Sequence, residues 1–152
     1  MFNRQLTDDI TSAVFDKGDL VSRINPPATD TQINALKSAY SFPDVFYEML
    51  RFSNGMELFN YKDLDGYNFY TVDKLIKENK ELIKTYEEKW IEEILVFCEI
   101  LGEGNYIAVN LATGEILDGF HEVGPDKWAV ISPDLMDFLE KLIKLKGEKF
   151  WL

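Results

Sequence analysis

Three short apolar segments separated by short turns constrain the fold more than any other feature of this sequence. The segments are 94–98, 105–110 and 116–120. The turns between them contain Gly102-Glu103-Gly104 and Ala112-Thr113-Gly114-Glu115. Such turns join antiparallel neighbours, because a parallel connection needs a crossover of about a dozen residues or more. This region therefore predicts an antiparallel meander, to which 128–131 can add a further strand.

A second pair of strands is predicted upstream of the meander. The segments 56–61 and 67–70 are short and aromatic, and Lys62-Asp63-Leu64-Asp65-Gly66 lies between them. Polar residues followed by glycine are typical of a hairpin turn. The same five residues faintly resemble a calcium-binding loop, but the remaining ligands are missing at the required spacing, which favours a plain turn.

Helical segments lie on both sides of these strands. A first helical run from Leu6 to Val14 ends at Gly18, and a long middle helix is predicted at about 73–91, with Asn79 on its apolar face. Helix ends are indicated by Thr29 with Gln32, a capping-box pair, by Pro43 and Asn54-Gly55, and by Ser132-Pro133. A closing helix at about 133–145 has an apolar stripe of Leu135, Phe138, Leu139, Leu142 and Ile143. The order predicts a single α+β domain over residues 1–152, with a mainly antiparallel sheet.

The net charge of −11 is concentrated in one segment. Residues 90–126 contain eight acidic residues and no Lys or Arg, so their charge has no basic neighbour within the segment. A strongly acidic surface repels phosphate backbones and attracts basic proteins, which disfavours direct nucleic-acid binding. Two interpretations remain open: a solvated surface that opposes self-association, or a binding surface for a basic partner.

The compartment is inferred from cysteine usage and from the absence of long apolar runs. Cys98 is the sole cysteine, so no intrachain disulfide or cysteine-cluster zinc site can form. The amino terminus carries Asp8, Asp9 and Asp16 and has no continuous apolar stretch, unlike a signal peptide. The longest purely apolar run, 94–98, is far below the roughly 18 residues of a membrane span. We expect a cytoplasmic protein that does not associate with a membrane.

No recognisable catalytic or cofactor-binding motif is present. Cys98 ends the apolar run of a predicted buried strand, where a thiol usually acts as a small hydrophobic group. His121, the sole histidine, stands beside Glu122 and could act as a general base, although a structural or interface hydrogen bond is favoured. We therefore expect no enzyme activity, no metal and no cofactor.

Two stretches resemble the SUKH superfamily, whose bacterial members are largely immunity proteins against secreted toxins. The first runs from Pro26-Pro27-Ala28-Thr29 to a Pro-started helix that ends in Ser53-Asn54-Gly55. The second contains Gly114-Glu115-Ile116-Leu117, then Phe120-His121-Glu122, Trp128-Ala129-Val130-Ile131-Ser132 and Phe138-Leu139. Each motif alone is common in proteins. The resemblance to the superfamily depends on the order and spacing of the motifs over about residues 24–143. The additional amino-terminal helix and the long, charged middle helix depart from the pattern.

The resemblance implies an antitoxin that binds and neutralises a cognate toxin, with a basic nuclease of the LXG type as the more specific expectation. Acidic residues beside the predicted turns, together with His121 and an aromatic anchor, are the candidate contact residues: Glu103, Asp118, His121, Glu122, Asp126 and Tyr67. Tyr67, Tyr106, Phe120 and Trp128 could alternatively be core residues. The alternative functions are an intracellular regulatory scaffold of the same superfamily and, less favoured, a carboxylate-based enzyme. The oligomeric state is left open.

Overall fold

A computed structural model describes residues 2–13 and 20–152, except for the side chain of Leu20. Within these ranges the helices are α1 (Arg4–Ser12), α2 (Asp30–Ala39), α3 (Asp44–Phe52), α4 (Val72–Tyr86) and α5 (Leu135–Lys144), with short 3₁₀ helices at Glu87–Lys89 and Pro125–Lys127. The strands are β1 (Leu20–Ile24), β2 (Met56–Tyr61), β3 (Asp65–Phe69), β4 (Ile94–Ile100), β5 (Asn105–Asn110), β6 (Ile116–Gly119) and β7 (Ala129–Ser132). The chain is an α+β protein, as the sequence predicts.

The described strands form one antiparallel sheet in which every strand pairs with its neighbours in sequence order. The predicted meander and the predicted 56–70 hairpin are therefore confirmed. Strand β1 was not predicted, and it extends the sheet by pairing with β2, Leu20 opposite Tyr61 and Ile24 opposite Met56. Its five residues are too few to show a clear alternation of apolar and polar side chains, the pattern that predicts a strand.

Helix ends differ from the prediction in three places. Thr29 and Gln32 form the predicted capping box, but Pro43 is the N-cap of α3 rather than its first residue. Asp134, not Ser132, caps α5 by accepting a hydrogen bond from the amide of Asp137. Helix α4 ends at Tyr86 rather than at 91. The predicted continuation of α1 through Val14 to Gly18 lies outside the described residues.

One contiguous core lies between the sheet and the helices, and β4 is buried along nearly its whole length. Phe97 of β4 lies between Phe46 of α3 and Phe138 of α5, with ring centroids 5.0 and 6.3 Å away. The predicted stripe of α5 is confirmed, since Leu135, Phe138, Leu139 and Leu142 are fully buried and Ile143 is partly buried against the same core. No described helix has the length and apolar composition that a membrane span needs.

Asn79 is a fully buried polar residue on the inner face of α4. Its side-chain oxygen accepts a hydrogen bond from the amide of Val96 at 2.8 Å, and its side-chain nitrogen donates to the carbonyl of Val96 at 2.9 Å. The pairing of β4 with β5 shifts register between Val96 and Cys98. Asn79 therefore satisfies backbone groups of β4 at this irregularity, which fixes α4 against the sheet.

Asp137, in the first turn of α5, is expected to make the stability of the fold depend on pH. Burial alone would raise the pKa of Asp137, but hydrogen bonds from the Ser132 hydroxyl at 2.7 Å and the Lys141 ammonium at 2.9 Å outweigh it and hold the pKa below its usual value. The ionised carboxylate therefore stabilises the fold at pH values above about 4, the pKa of an Asp carboxyl in the unfolded chain. This stabilisation is lost as the pH falls through the lower pKa of the folded protein. We expect Asp137→Asn to lower the free energy of unfolding by about 1 kcal/mol at pH 7. Urea melts at pH 7 and at low pH measure this; an equal loss at both would contradict it.

Candidate partner-binding surface

The turn between β4 and β5 and the loop between β6 and β7 lie at the same end of the sheet, because alternate turns of a meander share an end. We call residues 101–104 and 120–128 together the turn surface. Glu103, His121, Glu122 and Asp126 lie on it and are exposed, and Asp118 lies beside it in β6, half-buried. The structure thus brings five of the six predicted contact residues to one end of the molecule.

The carboxyl-terminal tail folds back onto this surface and changes its charge. Lys149 donates hydrogen bonds to both carboxylate oxygens of Glu103. Burial raises the pKa of Asp118, with the Glu103 charge adding to the rise and with Lys149 and a hydrogen bond from Trp151 opposing it. The expectation that the acidic segment has no local compensation is therefore wrong for Glu103 and Asp118, because the compensating cation comes from a distant part of the chain.

The same correction applies to one further carboxylate of the segment. Glu99 accepts hydrogen bonds at 2.9 Å from Lys74 of α4 and from Asn68 of β3. Both donors precede the segment in sequence, so composition within 90–126 could not reveal them. The carboxylates that carry uncompensated charge are consequently fewer than the sequence suggests.

His121 is held in place by an amide rather than by a carboxylate. The Oδ1 atom of Asn105 accepts a hydrogen bond from the backbone amide of His121 at 3.1 Å and lies 2.6 Å from Nδ1 of its ring. This pattern favours the tautomer in which Nδ1 carries the proton. Among the described residues His121 has no carboxylate partner, so a His-carboxylate acid–base pair is not assembled here.

Glu122 and Asp126 remain as exposed carboxylates of the β6–β7 loop. Neither forms an ion pair with any residue in the described ranges. Phe120, at the start of the same loop, has an exposed fraction of 40%. This loop therefore combines two available negative charges with one accessible aromatic ring.

Trp128 fixes the β6–β7 loop to the core. Its ring is 7% exposed, and its indole N–H donates to the carbonyls of Phe120 at 3.0 Å and Val123 at 3.2 Å. The ring also packs edge-on against Trp90 and Tyr86, with centroids 6.0 and 6.3 Å away. The loop carboxylates are accordingly displayed from a fixed backbone.

Tyr67 lies in the core rather than on the turn surface. Its side chain is 3% exposed, and its hydroxyl donates to the carbonyl of Gly147 at 2.8 Å. Burial raises the pKa of this phenol above its usual value. Tyr67 holds the carboxyl-terminal tail in place and offers no surface to a partner. Tyr106, another of the aromatic residues singled out in the sequence, is half-buried.

Neither a metal-binding group nor an accessible cysteine is found among the described residues. No group of three or more His, Cys, Asp or Glu side chains within ranges 2–13 and 20–152 is placed to hold a metal. Cys98 is fully buried, and burial raises the pKa of its thiol well above the usual value, which disfavours the nucleophilic thiolate. The 62–64 segment forms the predicted turn between β2 and β3.

Sequence reasoning missed three residues that organise the turn surface: Asn105, Lys149 and Trp151. Asn105 opens β5 and gives no local indication that it will hold His121. Lys149 is 46 residues from Glu103. The apolar pair Phe150-Trp151 after the end of α5 was the available signal, because exposed aromatic pairs are unusual and predict a tail that packs against the fold.

Comparison with known proteins identifies a family. A search of curated proteins found no match. A family model described as the SMI1/KNR4 family (SUKH-1) matches residues 27–141. The matched region runs from the turn before α2 to the middle of α5 and includes β2 to β7. Since the match covers well over half of the sequence, the chain belongs to the SMI1/KNR4 family (SUKH-1).

Proposed function

We propose that the protein is an immunity protein that binds and neutralises a cognate toxin in the cytoplasm. Its membership of the SMI1/KNR4 family is the observation that carries this proposal, since the superfamily's bacterial members are largely immunity proteins. A basic nuclease of the LXG type is the toxin class that we propose. An acidic protein suits such a partner, because the working surface of a nuclease must attract polyanions.

The turn surface is the contact region that we propose for this toxin. Glu122 and Asp126 supply exposed charge without an ion-pair partner in the described chain, and Phe120 supplies apolar area. Glu103 and Asp118 interact with Lys149 in the free protein. A basic side chain of the toxin can replace Lys149 beside these two carboxylates. With the proton on Nδ1, the Nε2 atom of the exposed His121 can accept a hydrogen bond from the toxin.

The proposed function is tested by co-expression. A toxin candidate encoded beside this gene is expressed in a sensitive host with and without the protein, and survival and co-purification are scored. We expect survival together with a stable complex. An unrelated nuclease of similar basicity is the matched control, and it should remain toxic. Continued killing by every neighbouring candidate would contradict the proposal. Survival without any complex would instead favour a regulatory or enzymatic role.

Charge reversal on the turn surface has a defined kinetic outcome. We expect Glu122→Lys combined with Asp126→Lys to slow association with the toxin about tenfold at low salt and to flatten the salt dependence, because rim charges act mainly on the association rate. Association is measured by stopped flow at low and high salt. Glu81→Lys with Glu140→Lys makes the same change of net charge at exposed positions of α4 and α5, away from the turn surface, and is the control. Equal rates for the two double variants would show that only total charge matters.

A further inference from the structure

An open groove of about 800 Å³ lies beside the end of α4, next to the β5–β6 turn. Its apolar wall is formed by Tyr40, Ile83, Trp90, Leu95 and Leu111. Three acidic residues also line it: Glu87, Glu92 and Glu93. No basic residue is among its described lining residues. The groove is therefore apolar at the wall and negative at the rim.

The three carboxylates of this groove are uncompensated. Glu87, Glu92 and Glu93 are all exposed, and none forms an ion pair with a residue in the described part of the chain. This distinguishes them from Glu99 and Glu103, which lie in the same acidic region but bind Lys74 and Lys149. Glu92 and Glu93 thus place two unpaired charges of the acidic segment at the groove, and Glu87, just before that segment, adds a third.

The groove is built on a fixed backbone. The amide of Leu111 donates to the carbonyl of Glu93 at 2.7 Å, and the amide of Trp90 donates to the carbonyl of Glu87 at 3.0 Å. Glu87 has a φ of 52°, a left-handed conformation that is uncommon for a residue other than glycine, asparagine or aspartate. Backbone strain of this kind persists where the surrounding structure imposes it, often at binding sites.

Trp90 connects the groove to the turn surface and has an unsatisfied donor. Its indole Nε1 is buried and has no hydrogen-bond acceptor among the described residues. The same ring packs against Trp128, and it also borders the space beside Val123 and Asp126. Trp90 therefore borders both the groove and the β6–β7 loop, so a ligand in the groove lies next to that loop.

We propose that this groove receives a basic amphipathic segment of the partner, one in which an aromatic or aliphatic side chain is flanked by Lys or Arg. The apolar side chain packs against Trp90 and Leu111, and the flanking cations pair with Glu87, Glu92 and Glu93. Charge complementarity selects this occupant over an acidic or neutral segment. The identification of the partner as a toxin rests on the proposed function, whereas the chemistry of the bound segment rests on the groove alone.

The groove is tested with two variants and one control. Glu92→Lys with Glu93→Lys reverses the rim, and Leu111→Ser removes apolar area from a half-buried position. Glu81→Lys with Glu140→Lys, at exposed positions outside the groove lining and the turn surface, is the control for net charge. Each protein is titrated with the toxin that co-purifies with the wild type. A library of random 12-residue peptides displayed on phage is selected on the wild type and counter-selected on the rim variant. Circular dichroism melts verify folding.

We expect both groove variants to weaken toxin binding about tenfold or more, the control to stay within about twofold, and the selected peptides to combine Lys or Arg with an apolar residue. Unchanged toxin affinity with no groove-dependent peptides would overturn the groove proposal while the function stands. Groove-dependent basic peptides without any neutralised toxin would overturn the function while the groove stands. Concentration-dependent self-association that the rim variant abolishes would assign the groove to a second copy of the chain and overturn the proposed occupant.

Discussion

Phe138→Ala is expected to reduce the free energy of unfolding by about 3–5 kcal/mol, a large fraction of the stability of a domain of this size. Phe138 is fully buried in α5 and packs against Phe97 of β4 at 6.3 Å between ring centroids. It also contacts Phe150 and Trp151 of the tail, with centroids 5.8 and 6.1 Å away. Truncation leaves a cavity that these neighbours can fill only in part. Urea denaturation followed by fluorescence measures the loss.

Glu140→Ala is the matched control for this substitution, since Glu140 lies in the same helix but is exposed. Its effect should stay within about 0.5 kcal/mol. A loss below about 1 kcal/mol for Phe138→Ala would contradict the packing described here.

Trp128→Ala is expected to cost about 3–5 kcal/mol and to weaken partner binding as well. The substitution removes a buried ring from the cluster with Tyr86 and Trp90, and it removes the donor for the carbonyls of Phe120 and Val123. The β6–β7 loop then loses its anchor, so Glu122 and Asp126 are no longer displayed from a fixed backbone. Thermal melts and binding titrations of the same variant measure the two effects.

Trp128→Phe separates packing from hydrogen bonding. This variant keeps an aromatic ring and lacks the N–H, so we expect it to retain most of the stability and to lose about 1 kcal/mol for the hydrogen bonds. Equal losses for the Phe and Ala variants would show that packing of the ring contributes little. Full partner affinity for Trp128→Ala, measured below its melting temperature, would show that the loop is not part of the interface.

Local chemistry made most of the fold predictable. The capping box of Thr29 and Gln32, the short turns of the meander and the apolar stripe of α5 each depend on residues that are close in sequence. Even there, the exact cap shifted: α5 begins at Leu135, so Asp134 is the N-cap, whereas Ser132 is the last residue of β7 and its hydroxyl donates to the Asp137 carboxylate. Element types were more predictable than element ends.

The surface could be predicted only in part, because its electrostatics depend on contacts between distant residues. Lys149 reaches Glu103 across 46 positions, and Lys74 reaches Glu99 across 25. The groove likewise combines residues of the α2–α3 connection, the end of α4 and the β5–β6 turn. Counting charges within 90–126 located the acidic region, but which of its carboxylates are available for a partner follows only from the tertiary structure.

The proposed neutralisation of a toxin by stoichiometric binding is tested by an inhibition titration. A fixed amount of the purified toxin is mixed with increasing amounts of the protein, and the remaining toxin activity is measured at equilibrium. We predict that activity falls in proportion to the protein added, reaches a plateau at a fixed molar ratio, and returns when the complex is dissociated in denaturant and the toxin refolded. Inactivation of many toxin molecules by one molecule of the protein, or no loss of activity at any ratio, would contradict the proposed function.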